Sequence, residues 1–143
     1  MKKVLIIICL IFLFTGCAKK DARKSDVMSS DIKVVINDQT YILKLENNDT
    51  AKELISLLPL EFTMNDLNNN EKYVYMNNSL TTNSYNPKRI EKGDVMLYGN
   101  NCLVIFYKSF DTPYSYTKVG HIDNFDDLED GTIVAKFEIM EDK

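Results

Sequence analysis

The chain has no tryptophan, a single histidine and only two arginines (Arg23 and Arg89) among 143 residues. One histidine, without a pair of neighbouring cysteines, leaves no set of nitrogen and sulfur ligands for a zinc site. With so little arginine and a formal net charge of −4, the chain offers no basic patch to approach phosphate, so nucleic acid is excluded as a partner. The five glycines are scattered through the chain, and none belongs to a phosphate-cradling loop. The acidic stretch Asp123, Asp126, Asp127, Glu129 and Asp130 lacks the alternate-position ligands and central glycine of a calcium loop, and reads as a solvated acidic loop. No metal or cofactor is expected. The longest apolar run, Val4 to Phe14 (VLIIICLIFLF), falls short of the roughly 20 residues that a membrane-spanning helix needs.

That run does have a use. Lys2 and Lys3 precede it and Phe14-Thr15-Gly16-Cys17 follows it, the order of basic, apolar and cleavage regions in a signal peptide. The tetrapeptide resembles the lipobox of bacterial lipoproteins, with Phe14 where leucine is usual. The resemblance implies a diacylglyceryl thioether on Cys17, cleavage before it, and acylation of the new amino terminus with a chain such as palmitate. Each buried CH2 contributes about 0.8 kcal/mol, so two or three chains anchor stably. The expected organisation is a signal peptide at 1–16, a lipidated Cys17 with a polar tether at 17–30, and one domain at 31–143. The domain is then held at the cell membrane, facing outside the cytoplasm. Cys9 leaves with the signal peptide and Cys17 carries lipid, so Cys102 has no disulfide partner. Such a domain relies on its core, and a monomer is expected.

Within it, alternation of apolar and polar residues predicts eight short strands, at 32–36, 41–45, 60–66, 71–76, 94–98, 102–108, 116–122 and 132–139. Asn37-Asp38 and Gly99-Asn100-Asn101 are hairpin turn signals. The 102–108 strand opens CLVIFY, apolar on both faces, and should be covered on both sides. One helix is predicted, with Thr50 and Glu53 as a capping box and Pro59 as its stop. Its apolar stripe is Ala51, Leu54, Ile55 and Leu58. The residues between 77 and 93 read as a long loop. Eight mostly antiparallel strands and one helix predict a small closed β-barrel with the helix plugging an end.

Three phrases carry a family resemblance: TAKELISLLPLEFTMNDLNNNEKYVYM, EKGDVMLYGNNCLVIFYKSF and YSYTKVGHID. In this order they resemble the cyclophilin-like domain of bacterial proteins, across nearly all of 31–143. The resemblance implies a cyclophilin-type β-barrel. It also raises prolyl isomerisation, for which true cyclophilins use an arginine on a barrel strand beside aromatic residues. Here no stretch resembles the arginine-bearing segment, and Arg89 lies in the loop SYNPKRIEKGD; lysine lacks the planar fork that would replace it.

The alternative is a binding surface. Tyr73 and Tyr75 share one side of their strand, and Tyr116 joins them where its strand lies near. A tyrosine ring offers a wide apolar face and a polar tip for peptides or flat ligands. Ordinary packing is the plainer account of the same rings. Cys102 opens an apolar strand and reads as a buried, inert thiol. In a regular strand Thr117, Val119 and His121 share one face and Tyr116, Lys118 and Ile122 the other, with Gly120 marking a bend or bulge. His121 has no nucleophile beside it and is expected to be structural. The sequence therefore points to a lipid-anchored protein whose domain binds a peptide segment or small ligand at Tyr73, Tyr75, Tyr116 and Arg89. A divergent prolyl isomerase and a non-catalytic docking module remain as alternatives.

Overall fold

A computed structural model describes residues 31–141; the expected signal peptide at 1–16, Cys17 and the expected tether lie outside the described residues. The strands are β1 (Asp31–Ile36), β2 (Gln39–Leu45), β3 (Leu60–Leu67), β4 (Glu71–Tyr75), β5 (Arg89–Ile90), β6 (Asp94–Tyr98), β7 (Cys102–Phe106), β8 (Phe110–Asp111), β9 (Thr117–Ile122) and β10 (Ile133–Ile139), with helix α1 at Asp49–Ser56. Eight of them close an antiparallel barrel in the order β1-β10-β3-β4-β7-β6-β9-β2, and β5 pairs with β8 as a separate two-stranded ribbon. All eight barrel strands are the ones that alternation predicts. The ribbon is not: two-residue strands show no period, and β5 falls inside the expected 77–93 loop.

Local chemistry sets the turns. Asn37 and Asp38 both take positive φ, 49° and 63°, which gives the tight β1–β2 hairpin its twist. Asn68 and Asn69 do the same between β3 and β4, where Asp66 Oδ1 accepts from Asn69 N at 3.1 Å. Gly99 opens the β6–β7 turn at φ 61°.

The barrel interior is one apolar cluster. β1 contributes Ile32, Val34 and Ile36, while Leu103 and Ile105 enter from β7 and Phe137 from β10, all buried. Ala51 and Leu54 of α1 belong to the same cluster, with Ile55 and Leu58 packed against it, so the helix covers the barrel by its predicted stripe. Its cap differs from expectation. Asn48 is the N-cap, its Oδ1 accepting from Ala51 N at 2.9 Å, and Thr50 lies inside the helix. Asn48 wins because its Nδ2 also donates to Lys118 O at 2.7 Å, tying the helix start to β9. Thr50 and Glu53 serve the loop instead: Thr50 Oγ1 donates to Thr81 O at 2.5 Å, and Glu53 accepts from Thr81 N at 2.6 Å. The helix also stops before Pro59, with Leu57 as its C-cap.

One end of the barrel holds a buried cation. Lys72 is 0% exposed, and its Nζ donates to Asp66 Oδ2 (2.7 Å), Glu129 O (2.6 Å) and Gly131 O (2.7 Å). Tyr107 Oη donates to the same Asp66 oxygen at 2.5 Å. Burial acts to raise the Asp66 pKa, but the hydrogen bonds from Lys72 and Tyr107 win and hold it below the usual carboxylate range.

The β6–β9 pairing shifts register between Val95 and Met96, which oppose Gly120 and Lys118. Val119 and Ile122 consequently both reach the interior cluster, so the irregularity expected at Gly120 breaks the regular alternation of faces there. Gly120 is required at this shift, since a Cβ on it would lie 2.3 Å from Lys44 O.

Candidate functional site: an aromatic cleft on the outer face

Neighbouring strands β4, β7 and β6 align their outward side chains in rows. Glu71 opposes Phe106; Tyr73 opposes Val104, which also faces Met96; Tyr75 opposes Cys102, which also faces Tyr98. Between the β4 side chains, Lys72 and Val74 turn inward, as alternation requires. The outward residues of β7 and β6 would be wet, but a second buried cluster forms over them from Ile90, Met96, Cys102, Val104, Phe106 and Tyr116, with Tyr73 and Phe110 packed at its edge. This is why β7 is buried along its whole length, as its two apolar faces predict.

Beside this second cluster opens a cleft of about 510 Å³, within the usual range for small-ligand sites. Its floor is Glu71, Tyr73, Cys102 and Val104, and one wall is the segment from Phe110 to Tyr116. The loop before β5 braces that wall. Tyr85 and Tyr116 exchange backbone hydrogen bonds of 3.0 and 2.9 Å, Thr112 N donates to Lys88 O at 2.9 Å, and Asn86 Nδ2 donates to Pro113 O at 2.9 Å.

Five tyrosines line the cleft: Tyr73, Tyr75, Tyr98, Tyr114 and Tyr116. Tyr116 is buried at 5% exposure, whereas Tyr75, Tyr98 and Tyr114 stand at 66%, 46% and 59%. The buried ring anchors the others. Tyr116 packs edge-on to Phe106 with centroids 5.5 Å apart and against Tyr98 at 5.6 Å. Tyr98 contacts Tyr114 at 6.3 Å, and Tyr73 contacts Tyr75 at 6.0 Å. Edge-to-face contacts of this kind hold rings in fixed directions and leave faces open to a guest.

The charge of the cleft is one-sided. Its acidic lining groups are the carboxyls of Glu71 and Asp111, with no lysine, arginine or histidine among the residues that form it. Asp111 is neutralised by Arg89 Nη1 at 3.0 Å. Glu71 has no side-chain hydrogen bond or ion pair among the described residues. Burial, and secondarily the charge of Asp66, push its pKa up to about 7. Burial also raises the Cys102 thiol, helped by the Glu71 charge and opposed by a hydrogen bond with Tyr75. Tyr116 is raised in the same way, against a hydrogen bond with Thr112. Asn70, also on the lining, carries a buried Oδ1 with no hydrogen-bond partner.

The structure thus brings Tyr73, Tyr75 and Tyr116 to one cleft. Arg89 lies outside its lining, on β5, where Nε donates to Glu91 at 2.9 Å and Nη1 to Asp111. His121 is remote from the cleft. Its Nδ1 donates to the buried Asp94 Oδ1 at 2.8 Å, while Asp94 Oδ2 accepts from Glu91 N at 2.9 Å. This arrangement fastens the end of β9 to the turn before β6. Gly93 completes the fastening, since a Cβ there would sit 2.1 Å from Ile122 O.

Glu71, Tyr98 and Tyr114 escaped the sequence reading. The period-two rule could have found Glu71, two residues before Tyr73, and the hairpin through Gly99 could have placed Tyr98 opposite Cys102. Nothing in the sequence signals Tyr114, whose position depends on how the wall folds back.

The family model described as the cyclophilin-like family matches residues 34–138, nearly the whole barrel. No curated protein and no solved structure matches the chain.

Proposed function

The chain belongs to the cyclophilin-like family, and from that premise we propose that it is a lipid-anchored binding protein whose cleft takes a peptide segment or a small organic ligand. The observation that carries this reading is the convergence of five tyrosines on one cleft, three of them open to solvent over a fourth that is buried. Fold alone does not transmit an activity, and the site's chemistry supports binding rather than turnover. An isomerase of the arginine type needs a guanidinium beside its aromatic pocket. Here Arg89 is not a lining residue, and its guanidinium is engaged by Glu91 and by the lining Asp111.

Anchoring rests on Phe14-Thr15-Gly16-Cys17 following the apolar run. In cells, Cys17→Ser should abolish acyl labelling and the lipoprotein type of cleavage; an unmodified Cys17 in the wild-type protein would remove the membrane from this reading.

The binding claim is tested by selecting ligands for the purified full chain from a random peptide library and a set of flat aromatic compounds. Binding of the selected ligands should weaken at least about tenfold in Tyr98→Ala, a cost of about 1.4 kcal/mol. Ligands indifferent to Tyr98→Ala and Tyr75→Ala would place binding elsewhere. A prolyl test peptide should exchange at its spontaneous rate, tens of seconds or slower. Turnover lost on Arg89→Ala would favour the isomerase.

A further inference from the structure

We propose that the cleft recognises an organic ammonium group, seated among the tyrosine rings with the Glu71 carboxylate as its counter-charge. This rests on the binding reading above and names the chemistry of the guest.

Three independent observations lead to it. Tyrosine faces carry negative quadrupole charge and attract cations, and several rings around one space form a cage suited to alkylated ammonium groups. Tyr73, next to Glu71 on the outward face of β4, and Tyr75, Tyr98 and Tyr114 beyond it offer such rings in a cleft that contains no cation of its own. Of the acidic lining groups, Asp111 is already paired with Arg89, and Glu71 is unpaired among the described residues. Finally, the Asn70 Oδ1 beside Glu71 is an acceptor without a donor. An unpaired carboxylate in a half-buried aromatic site is costly, and an incoming cation removes that cost.

Binding is then linked to protons. Asp66, opposite Lys72 on β3, acts on Glu71 through its charge and stays ionised, its pKa being lowered. Cys102 on β7 and Tyr116 ahead of β9 both have raised pKa values and stay neutral near pH 7, and Asp111 remains tied to Arg89. Glu71 is therefore the group that changes charge near neutrality. A cation prefers its ionised form, so affinity should rise as pH increases through about 7 and level off above.

The experiment is a titration of the full chain, in nonionic detergent, with choline and with its neutral isostere 3,3-dimethylbutan-1-ol, read by tyrosine fluorescence and amide shifts. Choline should bind about tenfold more tightly than the isostere at pH 8.5, and lose about tenfold in affinity by pH 5.5. Glu71→Gln should abolish the pH dependence and reduce the preference, while Tyr98→Leu should reduce the preference with the pH dependence kept. n-Butylammonium and the peptides Gly-Gly-Lys-Gly-Gly and Gly-Gly-norleucine-Gly-Gly distinguish the source. A lysine peptide that binds more tightly than butylammonium assigns the site to a peptide side chain, and equal binding assigns it to a free amine. If choline and the isostere bind alike in the cleft, the ammonium inference fails and the binding reading survives. If neither perturbs the cleft, the ammonium inference fails, and the binding reading fails with it where library ligands also ignore the tyrosine variants.

Discussion

At Glu71 the fold places a carboxyl where ionisation is opposed by burial and by the neighbouring Asp66 charge, so that its pKa reaches about 7. In the unfolded chain the same group ionises near 4.3. A raised acid pKa means that folding is favoured while the group is protonated, and that stability is lost as pH rises from the unfolded value through the folded one. Glu71→Gln removes this cost. Thermal melts should therefore show the variant above the wild type at pH 8.5, with the difference shrinking toward zero below about pH 4. A gain that is the same at every pH would mean that Glu71 is not the titrating group. At this scale the sequence was only partly readable. Tyr73, Tyr75 and Tyr116 could be grouped from strand spacing, but the charge state of Glu71 depends on its burial in the folded chain, which no local pattern encodes. Arg89 is a candidate only because prolyl isomerisation of the cyclophilin type uses an arginine, and that requirement carries no information about where its side chain points.

The barrel strands were legible because each buries one face or both, and burial writes a period of two into the residues. Helix α1 was legible by its stripe, whereas its cap was not. Asn48 and Thr50 are both good capping residues, and the choice between them was made by Lys118 O on β9 and by Thr81 in the loop, both far away in sequence. Removing the true cap should cost more than removing the apparent one at the helix start. Asn48→Ala frees one helix donor and the Lys118 carbonyl, so urea unfolding should show a loss of about 1–2 kcal/mol. Glu53→Ala should instead loosen the loop around Thr81, seen as faster amide exchange there, with little change in helix signal. If Asn48→Ala is neutral, the observed cap contributes nothing. The β5–β8 ribbon belongs to the same lesson, because its two-residue strands exist only through the pairing of Arg89 with Asp111 and Ile90 with Phe110.

Across the whole molecule, two clusters divide the labour. The interior cluster closes the barrel, and the second, outside β6 and β7, carries the cleft on a rigid base. The barrel end near Lys72 is fastened by charge rather than by apolar packing, through Asp66 and the carbonyls of Glu129 and Gly131. Taking away one member of a buried pair leaves the other uncompensated, so Lys72→Met should lower stability by about 3–5 kcal/mol at pH 7. The depressed Asp66 pKa adds a sign: this stabilisation is present above the unfolded carboxylate range and is lost as pH falls through the folded value. The penalty of Lys72→Met should accordingly shrink in acid, as equilibrium unfolding at pH 7 and pH 3 would show. The two sites are coupled by charge, since Asp66, the partner of Lys72, also helps to raise the Glu71 pKa in the cleft. The central claim is that this cleft is where the protein binds. It is tested most directly by mapping amide shifts of the labelled protein during titration with the tightest ligand from an unbiased library. The account predicts shifts confined to β4, the start of β7, and the Tyr98 and Phe110–Tyr116 segments, saturating together with one affinity; shifts centred on His121 and the 91–94 turn, with the tyrosine cleft silent, would contradict it.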